Sequence, residues 1–496
     1  MTVPYGYDKS WPMRTAADIR PPVRATRFCL GGLGLLSAAA LSACATLPHP
    51  APARVARAPE TYAVSQTLAG PERDWPADAW WTAYGDTQLN TLMDEALAGS
   101  PTLAAAEARV RRAQSLADQA HAQQLPSVSA NGSIVEQKQT YNYGIPREFV
   151  PQGYNDYGQL TLNFNWELDF WGKNRAAVAA AVSETRAAQA DAAEAQLMLS
   201  TNIGAAYADL ARLYAQRDVA ERSVALLTET SDLVRNRVTN GLDTLGEQRQ
   251  AEAQPLQAKS DLAAIDEQIA LRRNQLAALA GAGPDRGLAI ARPSAAALKP
   301  IGVPAQLAAS LVGRRPDVTA ARWRAEAATS RIKEARAAFF PDINLVAFAG
   351  AQALHLHEVF ASGSDIGSFG PAISLPIFEG GRLRAGLRGA EADRDEAVAS
   401  YDAAVTEAFR QVADVVASSR SLGTQLAQSR AALAASEDAY RIAKLRYQGG
   451  LSTYPAVLLV EQDVLSRRRS VADLESRALA LDVALVRALG GGFHSA

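Results

Sequence analysis

From Gln159 to Phe170 (QLTLNFNWELDF) apolar and polar positions alternate without a miss. Leu160, Leu162, Phe164, Trp166, Leu168 and Phe170 fall on one side, and Gln159, Thr161, Asn163, Asn165, Glu167 and Asp169 on the other. A period of two predicts a strand with one dry and one wet face. Shorter alternations occur elsewhere. Val128, Ala130 and Ile134 oppose Ser127, Ser129, Asn131 and Ser133; Ile343, Leu345, Ala347 and Ala349 share a face, as do Ile373, Leu375 and Ile377. Four strands are expected, over 126–140, 157–170, 342–353 and 366–378.

The rest of the pattern is helical and occurs twice. Pro101–Pro126 parallels Pro316–Pro341, 215 positions on, while Gly241 parallels Gly450 and Gly281 parallels Gly490, each 209 positions on. The offset shrinks across the segment that holds the strands, where a loop shortens at little cost. Each unit reads as helix, strand, loop, strand, very long helix, tight turn, helix. In the first unit Ser100-Pro101 opens a helix, as N-cap and first helical residue. Gly172 marks the start of the long helix, Asn240-Gly241 stops it, and the last helix reaches Gly281 with a kink expected at Pro255. In the second unit the equivalent marks are Gly380-Gly381, Gln448 and Gly490. A long helix from 172 to 240 extends about 100 Å at ~1.5 Å per residue, about the combined length of the two shorter helices beside it. Val471, Leu474, Ala478, Leu481, Leu485 and Ala488 form a coiled-coil seam. Its counterpart is Leu262, Ile265, Ile269, Arg272, Leu276 and Leu279, with one polar intruder.

Twelve strand residues at ~3.3 Å span about 40 Å, which a ~45° tilt reduces to about 28 Å, the height of a bilayer's hydrocarbon core. Four strands cannot close a membrane barrel, and open edges are not tolerated in lipid. Strands that span a membrane must therefore be pooled between subunits. The alternative is a soluble four-stranded sheet packed on a helix.

The N-terminus adds an address. Behind Arg20, Arg24 and Arg27 lies an uncharged stretch from Cys29 to Ala43, too short for a membrane span and shaped like a secretory signal. It ends in Leu41-Ser42-Ala43-Cys44, which resembles the bacterial lipobox. By that resemblance residues 1–43 are a signal peptide, Cys44 carries covalent lipid (palmitate among its acyl chains), and Ala45 directs the product to the outer membrane. The long leader leaves Met1 and Met13 as alternative starts. Cleavage at Cys44 leaves one cysteine and so no internal disulfide.

Composition narrows the function. With 50 basic and 52 acidic residues the net charge is −2, which offers no general attraction for nucleic acid. No later segment has the apolar length of a transmembrane helix. No phosphate loop, zinc spacing or nucleophile elbow is present. The cluster His355-x-His357-Glu358 falls in a predicted loop and reads as loop polarity, so no catalytic residue and no metal are expected.

Several motifs in order, WWTAYGDTQLNTLMDEAL, WELDFWGKNRAA, GRRPDVTAARWRAEAATSRIKEARAAFFPDINL and LPIFEGGRLRAGLRGAEA, resemble the outer-membrane factors of tripartite efflux pumps, TolC/OprM (NodT-like) lipoproteins. The resemblance covers about residues 75–490. It implies a mainly α fold with transmembrane β: a homotrimer whose twelve-stranded β-barrel continues into a twelve-helix periplasmic α-barrel. The partners it implies are a periplasmic adaptor, an inner-membrane transporter and outer-membrane lipid. It divides the chain into a lipid-anchored linker (44–74), a first repeat (75–281), an equatorial segment (282–305), a second repeat (306–490) and a tail (491–496).

The resemblance also assigns roles. Gly241, Leu242 and Thr244, with Gly450, Leu451 and Thr453, become the periplasmic tips that meet the adaptor. The strand residues Leu160, Leu162, Phe164, Trp166 and Leu168 are expected against lipid, with Asn163, Asn165 and Glu167 towards a watery lumen and Trp171 near the interface. Family members narrow the tip with aspartates, but the aligned positions here are Ala456 and Leu459. The candidates for a constriction are then Glu247, Leu459, Glu461 and Asp463. Arg314-Arg315-Pro316-Asp317 reads as structural, a helix start with Asp317 complementing the dipole. The function implied is a passive exit duct for drugs or other small molecules; the alternatives are a lipid-anchored periplasmic scaffold or adaptor without a pore, and a duct for a secreted protein or oligosaccharide.

Overall fold

The computed structural model describes residues 52–64, 66–68, 74–142, 144, 146–294, 304, 311 and 313–494, all within one compact unit, His49–Ala496. The signal peptide, Cys44, both candidate start methionines and most of 295–305 lie outside the described residues.

The helices of the two repeats are matched in length. Helix α1 (Thr87–Gly99) precedes α2 (Pro101–Ala122), strands β1 (Ser127–Gln137) and β2 (Asn155–Glu167), α3 (Lys173–Thr239) and α4 (Leu245–Leu279). After the short α5 (Asp285–Leu288) come α6 (Pro316–Ala337), β3 (Asp342–Ala353), β4 (Asp365–Ser374), α7 (Arg382–Gln448) and α8 (Tyr454–Leu489). Both α3 and α7 have 67 residues, and α2 and α6 both have 22. Pro255 lies inside α4 without ending it. Helix α3 packs on α2, α4, α6 and α8, and α7 packs on α6 and α8. Along the expected seam Ile269, Leu276, Val471, Leu485 and Ala488 are buried. The intruder Arg272 pairs with Asp209 of α3 at 2.6 Å. Ser100 holds the N-cap position of α2, but its side chain makes no capping bond.

The ends of each repeat are fastened in the same way. Gly281 (φ +74°) lies so close to Gly99 that a Cβ would stand 2.4 Å from the Gly99 carbonyl oxygen. Gly490 (φ +91°) would place one 1.9 Å from the Arg314 oxygen. Each glycine thus joins the end of its repeat to the residues just before Pro101 or Pro316. Only glycine suits both the positive φ and the close approach. The buried Arg315 closes the second joint: its guanidinium donates to both Asp317 oxygens, to Gln411 Oε1 and to the Ala488 carbonyl. Asp317 also accepts from the Val318 amide at 2.8 Å, at the start of α6. Around the waist, Asp86 caps α1 through the Gln88 and Leu89 amides and accepts from the Tyr207 hydroxyl at 2.6 Å and from Ser294. Burial works to raise its pKa, but the hydrogen bonds from Tyr207, Ser294 and Leu89 prevail and hold it below the usual carboxylate range.

The strands form one antiparallel sheet in the order β1-β2-β3-β4. Their ends correct the expected boundaries. β2 stops at Glu167, three residues before the alternation does, because Asp169 turns to accept the Arg175 amide at 2.9 Å and anchor the start of α3. Leu168, expected within the strand, lies just beyond it, with its amide bonded to the Ile343 carbonyl at 2.8 Å. β4 ends at Ser374, before Leu375-Pro376, so Leu375 and Ile377 are outside the strand. Its Pro371 lies opposite Leu345 of β3 without ending the strand.

Candidate functional site

Directly opposed residues in an antiparallel sheet project to the same face. On the face of Leu160, Leu162, Phe164 and Trp166, β1 contributes Gly132, Ala130 and Val128, and β3 contributes Ala351, Ala349, Ala347 and Leu345. β4 extends it with Gly367, Phe369, Pro371 and Ile373. The face is apolar across the middle of all four strands, with charge only at the end away from the helices, at Asp365 opposite Ala351 and at the pair Glu136 and Asp156. It carries no covering layer over its middle: Leu162 is 58% exposed and Phe369 88%. The opposite face is Ser127, Ser129, Asn131 and Ser133, then Asn165, Asn163, Thr161 and Gln159, then Val346, Phe348, Gly350 and Gln352. It is polar on β1 and β2 and mixed on β3. The outer edges of β1 and β4 pair with no other strand among the described residues.

The junction of sheet and helices is held rigidly. Trp166 Nε1 donates to the Gln124 carbonyl at 2.9 Å and Trp171 Nε1 to the Pro341 carbonyl at 2.8 Å. The Trp171 ring stacks on Phe340 at 4.8 Å. Lys173 bonds Glu167 at 3.0 Å and Asp342 at 3.3 Å, tying β2 and β3 to the start of α3. Glu167, expected towards a lumen, is therefore an ion-pair partner at the sheet's base.

At the far end of the long helices, the two turns have the same geometry. Gly241 (φ 74°) and Gly450 (φ 72°) are left-handed, the conformation that closes a helix through a Schellman motif. The Leu242 amide reaches back to the Arg237 carbonyl at 2.9 Å, and the Leu451 amide to the Arg446 carbonyl at 2.8 Å. Leu242 and Leu451 are left 62% and 73% exposed. Thr244 caps α4 in a reciprocal box with Glu247; Thr453 occupies the same position before α8 but forms no side-chain cap.

Beneath the turns lies a network that sequence reasoning did not find. Arg237 donates to Asp243 at 2.9 Å and to the Tyr447 carbonyl at 2.9 Å, and its guanidinium lies over the Tyr447 ring at 4.4 Å. The Tyr447 hydroxyl donates to Asp243. Tyr447 and Tyr454 are wholly buried, with Val234, Ala251, Val457 and Leu458 around them. The first-repeat turn is thereby bonded to the second-repeat helix. The available signal was Arg237 and Asp243 bracketing one turn and tyrosines at 447 and 454 bracketing the other.

The four constriction candidates separate. Glu461 is completely buried, bonded to Thr230 and Tyr440 within the subunit, and cannot line an aqueous passage in this arrangement. The Glu247 carboxylate is engaged at the Thr244 amide, 2.9 Å away. Asp463 accepts from Arg467 at 2.7 Å and from Ser436, so local pairing claims both. Leu459 alone is an uncommitted side chain, 73% exposed. The histidine cluster forms no metal cage: among the described residues no group of three His, Cys, Asp or Glu is so arranged. His355 Nδ1 instead lies 3.2 Å from Asp156 Oδ1, fastening the β3–β4 loop to β2. No helix of the described residues is long and apolar enough to cross a membrane.

Three comparisons bear on this arrangement. The family model described as outer membrane efflux protein matches residues 92–282 and 307–491. The multidrug resistance outer membrane protein MdtP of Escherichia coli (strain K12) is 31% identical over 473 residues, covering 94% of this chain and 96% of the relative. The fusaric acid resistance protein FusA of Burkholderia cepacia is 39% identical over 322 residues, 64% of this chain and 60% of FusA. Among solved structures, the outer membrane protein VceC of Vibrio cholerae superposes with a TM-score of 0.80 at 46% identity, over 85% of this chain and all of VceC (100%). The chain belongs to the outer membrane efflux protein family.

Proposed function

We propose that the chain is one third of a passive exit duct in the outer membrane, receiving small molecules from an inner-membrane transporter through a periplasmic adaptor. The observation that carries this reading is the sheet: an uncovered apolar face, a more polar reverse and two edges that pair with no other strand among the described residues. Three such sheets joined edge to edge give twelve strands, enough to close a barrel with its apolar side to lipid. Leu160, Leu162, Phe164 and Trp166 then contact lipid, while Asn163 and Asn165 face water. The long helices α3 and α7, with α4 and α8 beside them, continue the passage for about 100 Å below. Lipid on Cys44 gives the anchor.

The exposed Leu242 and Leu451 on left-handed glycine turns form the surface on which an adaptor hairpin seats. The names of MdtP and FusA support a toxic small molecule as cargo. The test is export in a strain lacking the native gene. Wild type restores drug resistance and labels with palmitate at Cys44. A variant with Gly450 and Leu451 changed to bulky charged residues forms trimers in the membrane but exports nothing. Full export by that variant removes the docking role, and a monomeric protein that never reaches the outer membrane removes the duct.

A further inference from the structure

About two helical turns above the tips, α3, α7 and α8 enclose a single acid. Glu461 of α8 has no solvent exposure. Its Oε1 accepts the Thr230 hydroxyl of α3 at 2.7 Å and the Tyr440 hydroxyl of α7 at 3.1 Å. Its Oε2 is buried and has no hydrogen-bond partner among the described residues. On the tip side lies the apolar layer of Val234, Ala251, Val457 and Leu458 with Tyr447 and Tyr454. On the other side lie Leu227, Ala258 and Leu465.

Charged neighbours do not compensate it. From α7, Lys444 is spent on Glu229 of α3, at 2.7 Å. Glu229 itself adds negative charge, while α4 contributes alanines to the flanking layers. From α8, Tyr454 is a neutral phenol whose pKa burial pushes up to about 12, and burial likewise raises that of Tyr440. An ionised carboxylate with one bare oxygen, held by two hydroxyls and no cation, is costly in such a place. The neutral acid costs far less.

We propose that Glu461 is a proton-binding site of the tip: packed α3, α7 and α8 hold it as the neutral acid, and their separation releases the proton to water. This rests on the reading of these turns as the periplasmic end of the duct, where separation of the helices is opening. The sign follows from burial, which raises the carboxyl pKa in the packed state against the opposing pull of Thr230, Tyr440 and Lys444. A group so displaced stabilises the packed tip fully below the ordinary carboxylate range. That contribution is lost as pH rises through the packed-state value. Acid therefore keeps the tip packed and rising pH loosens it.

The test uses the full-length protein in lipid nanodiscs at a series of pH values between about 5 and 8. Infrared difference spectra of wild type show a carboxylic-acid carbonyl band that Glu461→Gln lacks. Amide exchange of peptides around Tyr440 and Tyr454 is compared between wild type and Glu461→Gln at each pH, which cancels intrinsic exchange chemistry. Wild type loses protection relative to the variant as pH rises, by up to about tenfold per unit. Glu461→Leu, which removes titration by a different route, behaves as Glu461→Gln does. Identical exchange in wild type and both variants across the series overturns the proposal, as does a wild-type spectrum without the band. Neither readout requires conductance. A non-conducting protein with a proton-linked tip would reject the duct and leave the site standing; a conducting one with a pH-insensitive tip would do the reverse.

Discussion

Leu162→Arg is the perturbation that separates a membrane sheet from a soluble one by magnitude. Leu162 lies near the middle of the 13-residue β2, opposite Ala130 and Ala349, and is 58% exposed within the subunit. Its removal therefore forfeits little packing inside the chain. If this face met water, the substitution would fall within about 0.5 kcal/mol of neutral. If it lies at mid-bilayer, arginine costs about 2–4 kcal/mol, repeated in every subunit of the barrel. The control is Asn165→Arg on the opposite face, which is expected within about 0.5 kcal/mol. The assay is urea titration of folding into phospholipid vesicles, with heat-modifiable trimer on gels as the check on assembly. A neutral Leu162→Arg, or an Asn165→Arg that is equally damaging, refutes the assignment of faces.

Three further outcomes follow from the joints and the buried charges. Tyr447→Phe removes the hydroxyl that donates to Asp243. This should cost the tip about 1.5–3 kcal/mol, a hydrogen bond to a charged group, seen as faster amide exchange at Asp243–Glu247 while the sheet is unchanged. Gly490→Ala sets a Cβ 1.9 Å from the Arg314 carbonyl at φ +91°; beyond that clash the backbone strain alone costs about 1–3 kcal/mol, read as a lowered thermal midpoint. Glu194 of α3 is pushed up to about 7 by burial and by the nearby Asp317. Its contribution is complete below the ordinary carboxylate range and fades as pH climbs through about 7, at about 1.4 kcal/mol per unit of displacement. Glu194→Gln should flatten the stability profile between those limits in denaturant titrations, and an unchanged profile would count against it.

The repeat, the matched long helices and the strand at Gln159 were legible because each rests on a period or a punctuating glycine or proline. Strand ends were less so: alternation continues through Asp169, but that side chain is taken by Arg175, a tertiary choice that periodicity does not encode. The tip turns could be read from Gly241 and Gly450, but their fastening could not. Arg237 and Asp243 meet Tyr447 only after segments 204 and more residues apart in sequence are packed. Glu461 shows the same limit from the other direction. On a helix otherwise rich in charge it reads as solvated acid or as a lumen ring, and only its three-helix surroundings show that it is buried. Leu459, two residues earlier, has the opposite fate, a difference fixed by helical phase against α3 and α7.

The claim at the centre of this account, a pore that no single chain can close, is tested most directly by single-channel recording of purified, lipid-reconstituted protein in a planar bilayer. A trimeric duct gives discrete, stable conductance steps, with a larger open fraction in Tyr447→Phe, whose tip is unfastened. A protein that inserts as folded trimer yet gives no conductance, in wild type or in that variant, contradicts the duct and favours a lipid-anchored scaffold without a pore.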